Sequence, residues 1–103
     1  MLLSKSMHLL AFDLGAESGR AVLGRFDGER VELEVIHRFP NQPVTVGSTT
    51  YWDVLRLFHE MKQGLAQSVQ LYGNGIASMA VDTWGVDFGL LGPNDELLGN
   101  PIH

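Results

Sequence analysis

Asp13-Leu14-Gly15-Ala16-Glu17-Ser18-Gly19-Arg20 is the stretch whose reading decides the fold. An apolar run, His8-Leu9-Leu10-Ala11-Phe12, leads into it, and a second, Ala21-Val22-Leu23-Gly24-Arg25-Phe26, leads out. The local pattern is therefore strand, glycine-bounded turn, strand. The two glycines are expected to free the backbone for positive φ and to leave no Cβ in the way of a ligand. A turn of this kind aims successive N–H groups into one concavity that suits phosphate oxygens. Asp13 closes the first strand, where a carboxylate can face a metal ion.

Two common phosphate loops are excluded. A P-loop needs a lysine at its end and opens a helix, and this turn holds no lysine. The dinucleotide fingerprint Gly-x-Gly-x-x-Gly also runs from strand into helix, whereas Gly-x-x-x-Gly-Arg here runs into a β-rich stretch. The turn belongs to a hairpin, and an ordinary hairpin with a charged tip has the same spacing.

Outward from the turn, the chain alternates clear elements with punctuation. His8 to Asp13 is a first strand, apolar enough for burial on both faces. Arg20 to Phe26 is a second, and Asp27-Gly28 marks the hairpin to a third. That third strand, Arg30 to Phe39, alternates: Val31, Leu33, Val35 and His37 on one side, Glu32, Glu34 and Ile36 on the other. One wetter face places it near a sheet edge. His37 lacks a second ligand at metal-binding spacing and reads as a rim or core histidine. Pro40 to Thr50 reads as a loop.

Asp53 or Thr50 caps a helix expected over Val54 to Tyr72. Val54, Phe58, Met61, Leu65, Val69 and Tyr72 fall on one stripe of it, which reads as core. Gly64 inside the helix costs about 1 kcal/mol against alanine and invites close packing. Gly73-Asn74-Gly75 suits a left-handed C-cap. Ile76 to Val81 is then a strand ending at Asp82, Val86 to Leu91 a further candidate strand, and Gly92-Pro93-Asn94-Asp95 a turn before Glu96-Leu97-Leu98.

The order β-β-β-α-β-β predicts a mixed sheet, three antiparallel strands joined through a crossover helix to a parallel one. This is an α/β layer of ribonuclease-H-like type. Such a sheet needs cover on both faces, and a single convincing helix leaves the domain incomplete. The chain therefore reads as the opening part of a longer protein, with residues 1–7 as an extension and Met7 as an alternative start. A small domain completed by self-association through the unfinished sheet is the other reading.

Composition narrows the function. The 103 residues hold seven Lys and Arg against twelve Asp and Glu, a net charge of −5, with no basic run. That argues against a nucleic-acid surface. The absence of cysteine rules out disulfides and thiolate zinc sites and is compatible with a reducing, cytoplasmic location. No apolar stretch reaches the roughly 18 residues a membrane span needs, and the first residues carry no signal-peptide core.

The turn Asp13 to Arg20 resembles the first phosphate motif of the FGGY carbohydrate kinases, within the sugar kinase, Hsp70 and actin-like ATPase superfamily. Asp82-Thr83-Trp84-Gly85-Val86-Asp87-Phe88 resembles the members that act on L-rhamnulose, as do His37-Arg38-Phe39-Pro40-Asn41 and Trp52-Asp53. The resemblance runs from about Leu9 to His103 and makes residues 8–103 the N-terminal part of the first kinase domain. It implies ATP-dependent phosphorylation of the ketose on its 1-hydroxyl, with Mg²⁺. By similarity, Ala16, Glu17, Ser18, Gly19 and Arg20 contact ATP phosphates, Gly85 and Trp84 contact the sugar, and Asp13 serves the metal. The resemblance also implies a general base downstream of this sequence, so no catalytic residue is assigned among these residues, and Asp82 and Asp87 read as strand-end structure. Three alternatives stay open: another FGGY kinase such as an L-fuculokinase, a metal-dependent ribonuclease-H-like nuclease using Asp13, Asp82 and Asp87, and a non-catalytic nucleotide-binding module.

Overall fold

The computed structural model describes residues 6–73 and 75–103. β1 (Met7–Leu14), β2 (Ser18–Phe26) and β3 (Val31–Pro40) form an antiparallel meander. A small hairpin follows, β4 (Val44–Val46) and β5 (Thr49–Tyr51), then α1 (Val54–Tyr72) and β6 (Ile76–Asp82). β6 lies parallel to β1, giving a four-stranded mixed sheet in the order β3-β2-β1-β6. This is the mixed α/β layer of ribonuclease-H-like type that the element order predicts. Residues 1–5 of the expected extension and Asn74 of the expected helix stop lie outside the described residues, and Met7 is already paired with Phe26 in β1.

The sheet is covered on one face only. Leu10 and Phe12 of β1 and Ala21 and Leu23 of β2 point to the helix side and are buried there. Met61 and Leu65 of α1 pack on Leu10, Phe12 and Ala21. Each such leucine or phenylalanine contributes about 1.5–3 kcal/mol when fully buried. Alternation carries Met7, Leu9 and Ala11 to the opposite face, beside Val22, Gly24 and Phe26, then Val31, Leu33 and Val35. Leu33 is 72% exposed there. The expected burial of β1 on both faces is therefore met on one face alone.

Three expectations are corrected. α1 has the expected bounds, and Asp53 caps it by accepting from the Arg56 N–H at 3.2 Å. Its most buried positions, however, are Leu57, Gly64 and Ser68, while Phe58 and Val69 are exposed. The small residues set this rotation, because a Cβ on Gly64 would come within 2.7 Å of the Ala21 Cβ. Ser68 sits in the same contact and donates to the Gly64 carbonyl at 2.8 Å, so its burial leaves no orphan hydroxyl.

The second correction is in β3. Ala21 pairs with His37 but Val22 pairs with Val35, so Ile36 is an extra residue in a bulge. The bulge puts His37 on the helix side, opposite to Val35. There the His37 ring bonds Glu60 of α1 at 2.8 Å. Third, the stretch 40–50 is not all loop. Gly47, at φ 62°, closes the tight β4–β5 hairpin.

The sheet and helix are also tied at the helix's C-terminal end. Arg25 of β2 donates to Tyr72 at 2.9 Å and to Glu34 at 3.2 Å, and the Tyr72 hydroxyl donates to Glu34 as well. The Tyr72 bond first, then the Arg25 bond, holds the Glu34 carboxyl below its ordinary value. Beyond β6 no further strand forms among the described residues. Residues 83–103 make an arm with two isolated bridges, Leu91 to Leu97 and Ile102 to Tyr51 of β5, and the expected strand Val86 to Leu91 does not form. The chain exposes 7268 Å², against about 5,800 Å² for a folded monomer of this mass by the usual scaling.

Candidate functional site

β1 is flanked by antiparallel β2 and parallel β6, and its carboxyl end is where ligands gather in open α/β sheets. The register there sets Asp13 opposite Arg20 of β2 and beside Asp82 of β6. The glycine-bounded turn and the start of the 83–103 arm therefore leave the sheet side by side. Sequence separation hides this juxtaposition, and the parallel β1–β6 pairing creates it.

The turn is built from the inside by Asn41. This side chain is only 4% exposed. Its amide donates to the Gly15 carbonyl at 2.8 Å, and its backbone N–H donates to the Glu17 carbonyl at 2.9 Å. The Gly15 N–H closes the turn on the Ser18 carbonyl at 2.9 Å. Turn carbonyls are thus drawn inward. Ala16 and Glu17 are exposed, and among the described residues their N–H groups have no backbone acceptor. That leaves two adjacent donors on exposed residues without a backbone acceptor, which suits an anion.

The glycines work differently from the expectation. Neither Gly15 nor Gly19 has positive φ. Gly19 is buried, and a Cβ there would come within 2.4 Å of the Phe39 ring. The missing side chain lets that ring lie across the strand. Gly15 has a Cβ position 3.0 Å from the Ser18 carbonyl oxygen, a constraint of the turn itself.

Arg20 approaches Asp13 at 3.5 Å, with both side chains partly exposed, an arrangement worth little by itself. Its Nε is buried and has no partner. The terminal nitrogens, near Asp13 and 3.5 Å from the Ser18 hydroxyl, put a positive charge at the turn, which suits a polyanion. Whether a metal fits beside Asp13 depends on the donors there. Asp13 and Asp82 offer oxygen ligands on neighbouring strands, and no group of three His, Asp or Glu side chains gathers as a metal cage among the described residues. One or two carboxylates completed by water and phosphate oxygens is how Mg²⁺ is commonly held, so these residues fit it. Asp87 does not join them, which leaves the three-aspartate constellation of a nuclease unassembled.

Asp87 instead accepts from both indoles of the chain through one oxygen, Oδ2: from Trp52 Nε1 at 2.8 Å and Trp84 Nε1 at 3.0 Å. Trp52 is 4% exposed and is a hub. Its ring lies 4.5 Å from Trp84 and stacks on His103 at 4.6 Å, and the Trp52 backbone N–H donates to the Pro101 carbonyl at 2.8 Å. Both ends of the arm therefore converge on one side chain. Gly85 is exposed with nothing near a Cβ position, so it is open to a ligand. Next to it Val86 has φ 70°, a left-handed conformation that costs a β-branched residue about 1–3 kcal/mol. The sequence names Trp84 and Gly85 as candidates but gives no sign of the clasp that holds them, since Trp52 lies 35 residues from Asp87.

No protein-family model matches the chain. It is 47% identical over 94 residues to a rhamnulokinase of Bacteroides thetaiotaomicron, covering 91% of this chain and 19% of that protein. It is 40% identical over 95 residues to a rhamnulokinase of Mannheimia succiniciproducens, covering 90% and 20%. Among solved structures, gluconate kinase from Lactobacillus acidophilus superposes with a TM-score of 0.74 at 19% identity, over 95% of this chain and 20% of that one. Xylulose kinase from the same organism gives 0.73 at 20% identity, over 93% and 19%. The chain spans about a fifth of the length of the curated relatives it matches. The fold is that of these sugar kinases, and the resemblance to the FGGY carbohydrate kinases is to the rhamnulokinases in particular.

Proposed function

We propose that this chain is the N-terminal part of the first domain of an FGGY carbohydrate kinase, one whose parent transfers phosphate from ATP to the 1-hydroxyl of L-rhamnulose in the cytoplasm. The observation that carries the reading is the pairing of β1 with β6, which brings the 14–19 turn and the 83–87 arm to one edge of the sheet. Identity of 34–47% to rhamnulokinases over nine-tenths of the chain supports the choice of sugar. The apolar residues exposed on the second face, Val31, Leu33 and Val35, support a sheet that further protein covers. Self-association through that sheet would cover it too.

Bound ATP would supply the phosphoryl group and Mg²⁺ the charge that offsets its oxygens, with Asp13 on the metal side. The amides of Ala16 and Glu17, the Ser18 hydroxyl and the Arg20 guanidinium would bind phosphate oxygens, and the backbone at Gly19 would follow the same curve. Phosphoryl transfer asks for alignment and charge stabilisation more than for covalent chemistry, and fixed amide dipoles provide both. Trp84 and Gly85 would orient the ketose, an indole face against its apolar side and open backbone against its hydroxyls. The negative charge and lack of a basic run favour these small molecules over nucleic acid.

Calorimetry of the chain with Mg²⁺ and ATP tests the nucleotide half. Saturable heat is expected, weakened at least tenfold in Arg20→Met, which keeps the β2 backbone. Equal heat in both proteins would remove the turn from the reading, and no heat in either would favour a module that does not bind nucleotide. Gly19→Val is unsuited to this test because it strikes the Phe39 ring. The chain by itself is expected to show no turnover, and rhamnulose-dependent ADP release from the purified protein would refute that.

A further inference from the structure

The Asp87 clasp has a function that neither the motif nor the relatives assign. We propose that Asp87 is the positioning residue of the sugar site: by tying Trp52 and Trp84 together through Oδ2, it fixes the Trp84-Gly85 segment in the form that receives a deoxy-ketose. The inference rests on the sugar reading of that segment.

The geometry separates the two oxygens of this carboxylate. Oδ2 accepts from both indoles, at 2.8 and 3.0 Å. Oδ1 has no protein partner among the described residues. A single acceptor shared by two donors three and 35 residues away holds the arm against the β5–α1 junction at one point. The other end of the arm is held to the same junction by main chain, through the Trp52 backbone N–H to Pro101 and His103 N–H to Thr50 at 2.8 and 2.9 Å, and by the stacking of His103 on the Trp52 ring. Between Trp84 and Asp87 lie only Gly85, with open space around it, and Val86, 94% exposed at φ 70°. Valine does not hold that backbone unless its neighbours impose it. The tether at Asp87 is the neighbour that does so. Released, the segment relaxes, and the indole face and open backbone lose their mutual placement. The free edge of such a site, an indole plane beside an apolar valine, matches a sugar that has lost a hydroxyl.

The two tryptophans of the chain are both in the clasp, so intrinsic fluorescence reads it directly. Asp87→Asn keeps a carbonyl oxygen for the indoles, and Asp87→Ala removes it. In the full 103-residue chain, Asp87→Ala is expected to red-shift the emission and raise acrylamide quenching, while Asp87→Asn stays near the parent. Titration with L-rhamnulose, followed by the same emission, should then show at least tenfold weaker binding in Asp87→Ala and recovery to within about threefold in Asp87→Asn. Binding of Mg²⁺ and ATP at the 14–19 turn should be unchanged in both, which a general loss of fold would not allow. An unaltered Asp87→Ala spectrum overturns the tether. An altered spectrum with undiminished ketose binding overturns its role in the site. If the parent chain binds no ketose, the sugar reading falls and the positioning role with it, whereas the spectra still report whether the clasp exists.

Discussion

The two faces of the main sheet are made from the same strands and have opposite fates. On the helix side, Leu10, Phe12, Ala21 and Leu23 are buried, and α1 comes down until Gly64 touches Ala21. On the other side, Val31, Leu33 and Val35 stand in solvent beside Met7. Residues of the same chemistry occur on both, so hydrophobicity alone does not say which face is finished. What differs is the device that seals the covered face: a close-approach glycine, a hydroxyl folded back on its own helix, and the Arg25–Glu34–Tyr72 tie at the end.

Substitutions in the two faces should therefore separate widely. Leu23→Ala, at a fully buried position on the helix side, is expected to cost about 2–5 kcal/mol in urea unfolding. A cost below 1 kcal/mol would mean that the covered face is not the core. Gly64→Val should lose about 1–3 kcal/mol through overpacking, and pairing it with Ala21→Gly should recover part of the loss, because the clash is between those two positions.

A smaller effect belongs to the tie. Glu34 has its carboxyl held below the unfolded value by Tyr72 and Arg25, so its contribution is complete above about pH 4.3 and disappears as the pH falls through the lowered value. The melting temperatures of the parent and of Glu34→Gln should differ at neutral pH and converge in acid. A gap that widens on acidification contradicts the tie. The smallest effect is expected on the bare face: Leu33→Ser should change stability by less than about 0.5 kcal/mol. A larger loss would show that this face is already covered in solution, most simply by a second copy.

Much of this was legible from residue order, and the misses have local causes. The four strands of the main sheet, the helix bounds and the Asp53 cap follow from periodicity and end signals, whereas the apolar letters of Val86 to Leu91 suggest a strand that does not form. The buried stripe of α1 did not, because an apolar tally ignores Gly64 and Ser68 although they govern how near the helix sits. In β3 the alternation was read straight through Ile36, and a bulge leaves no mark in a pattern of apolar and polar letters. The β4–β5 hairpin was masked by Pro40 and Pro43, although Val44-Thr45-Val46-Gly47 carries a strand and its turn.

At the candidate site the phosphate-turn residues were recognisable as a motif, but the reason for its glycines was not. Gly19 serves the Phe39 ring, a contact 20 residues away that no short motif encodes. Asn41 and Asp87 were out of reach for the same cause, since each acts on a segment 26 or 35 residues distant.

The contact between Gly64 and Ala21 has one more consequence. At that point only the Ala21 methyl separates the helix from the sheet, flanked by Phe12 and His37, so there is little room for one to slide or roll on the other. Any hinge motion that narrows the space beyond the ends of β1 and β6 must then swing this whole layer as a single plate. The pivot has to lie outside it.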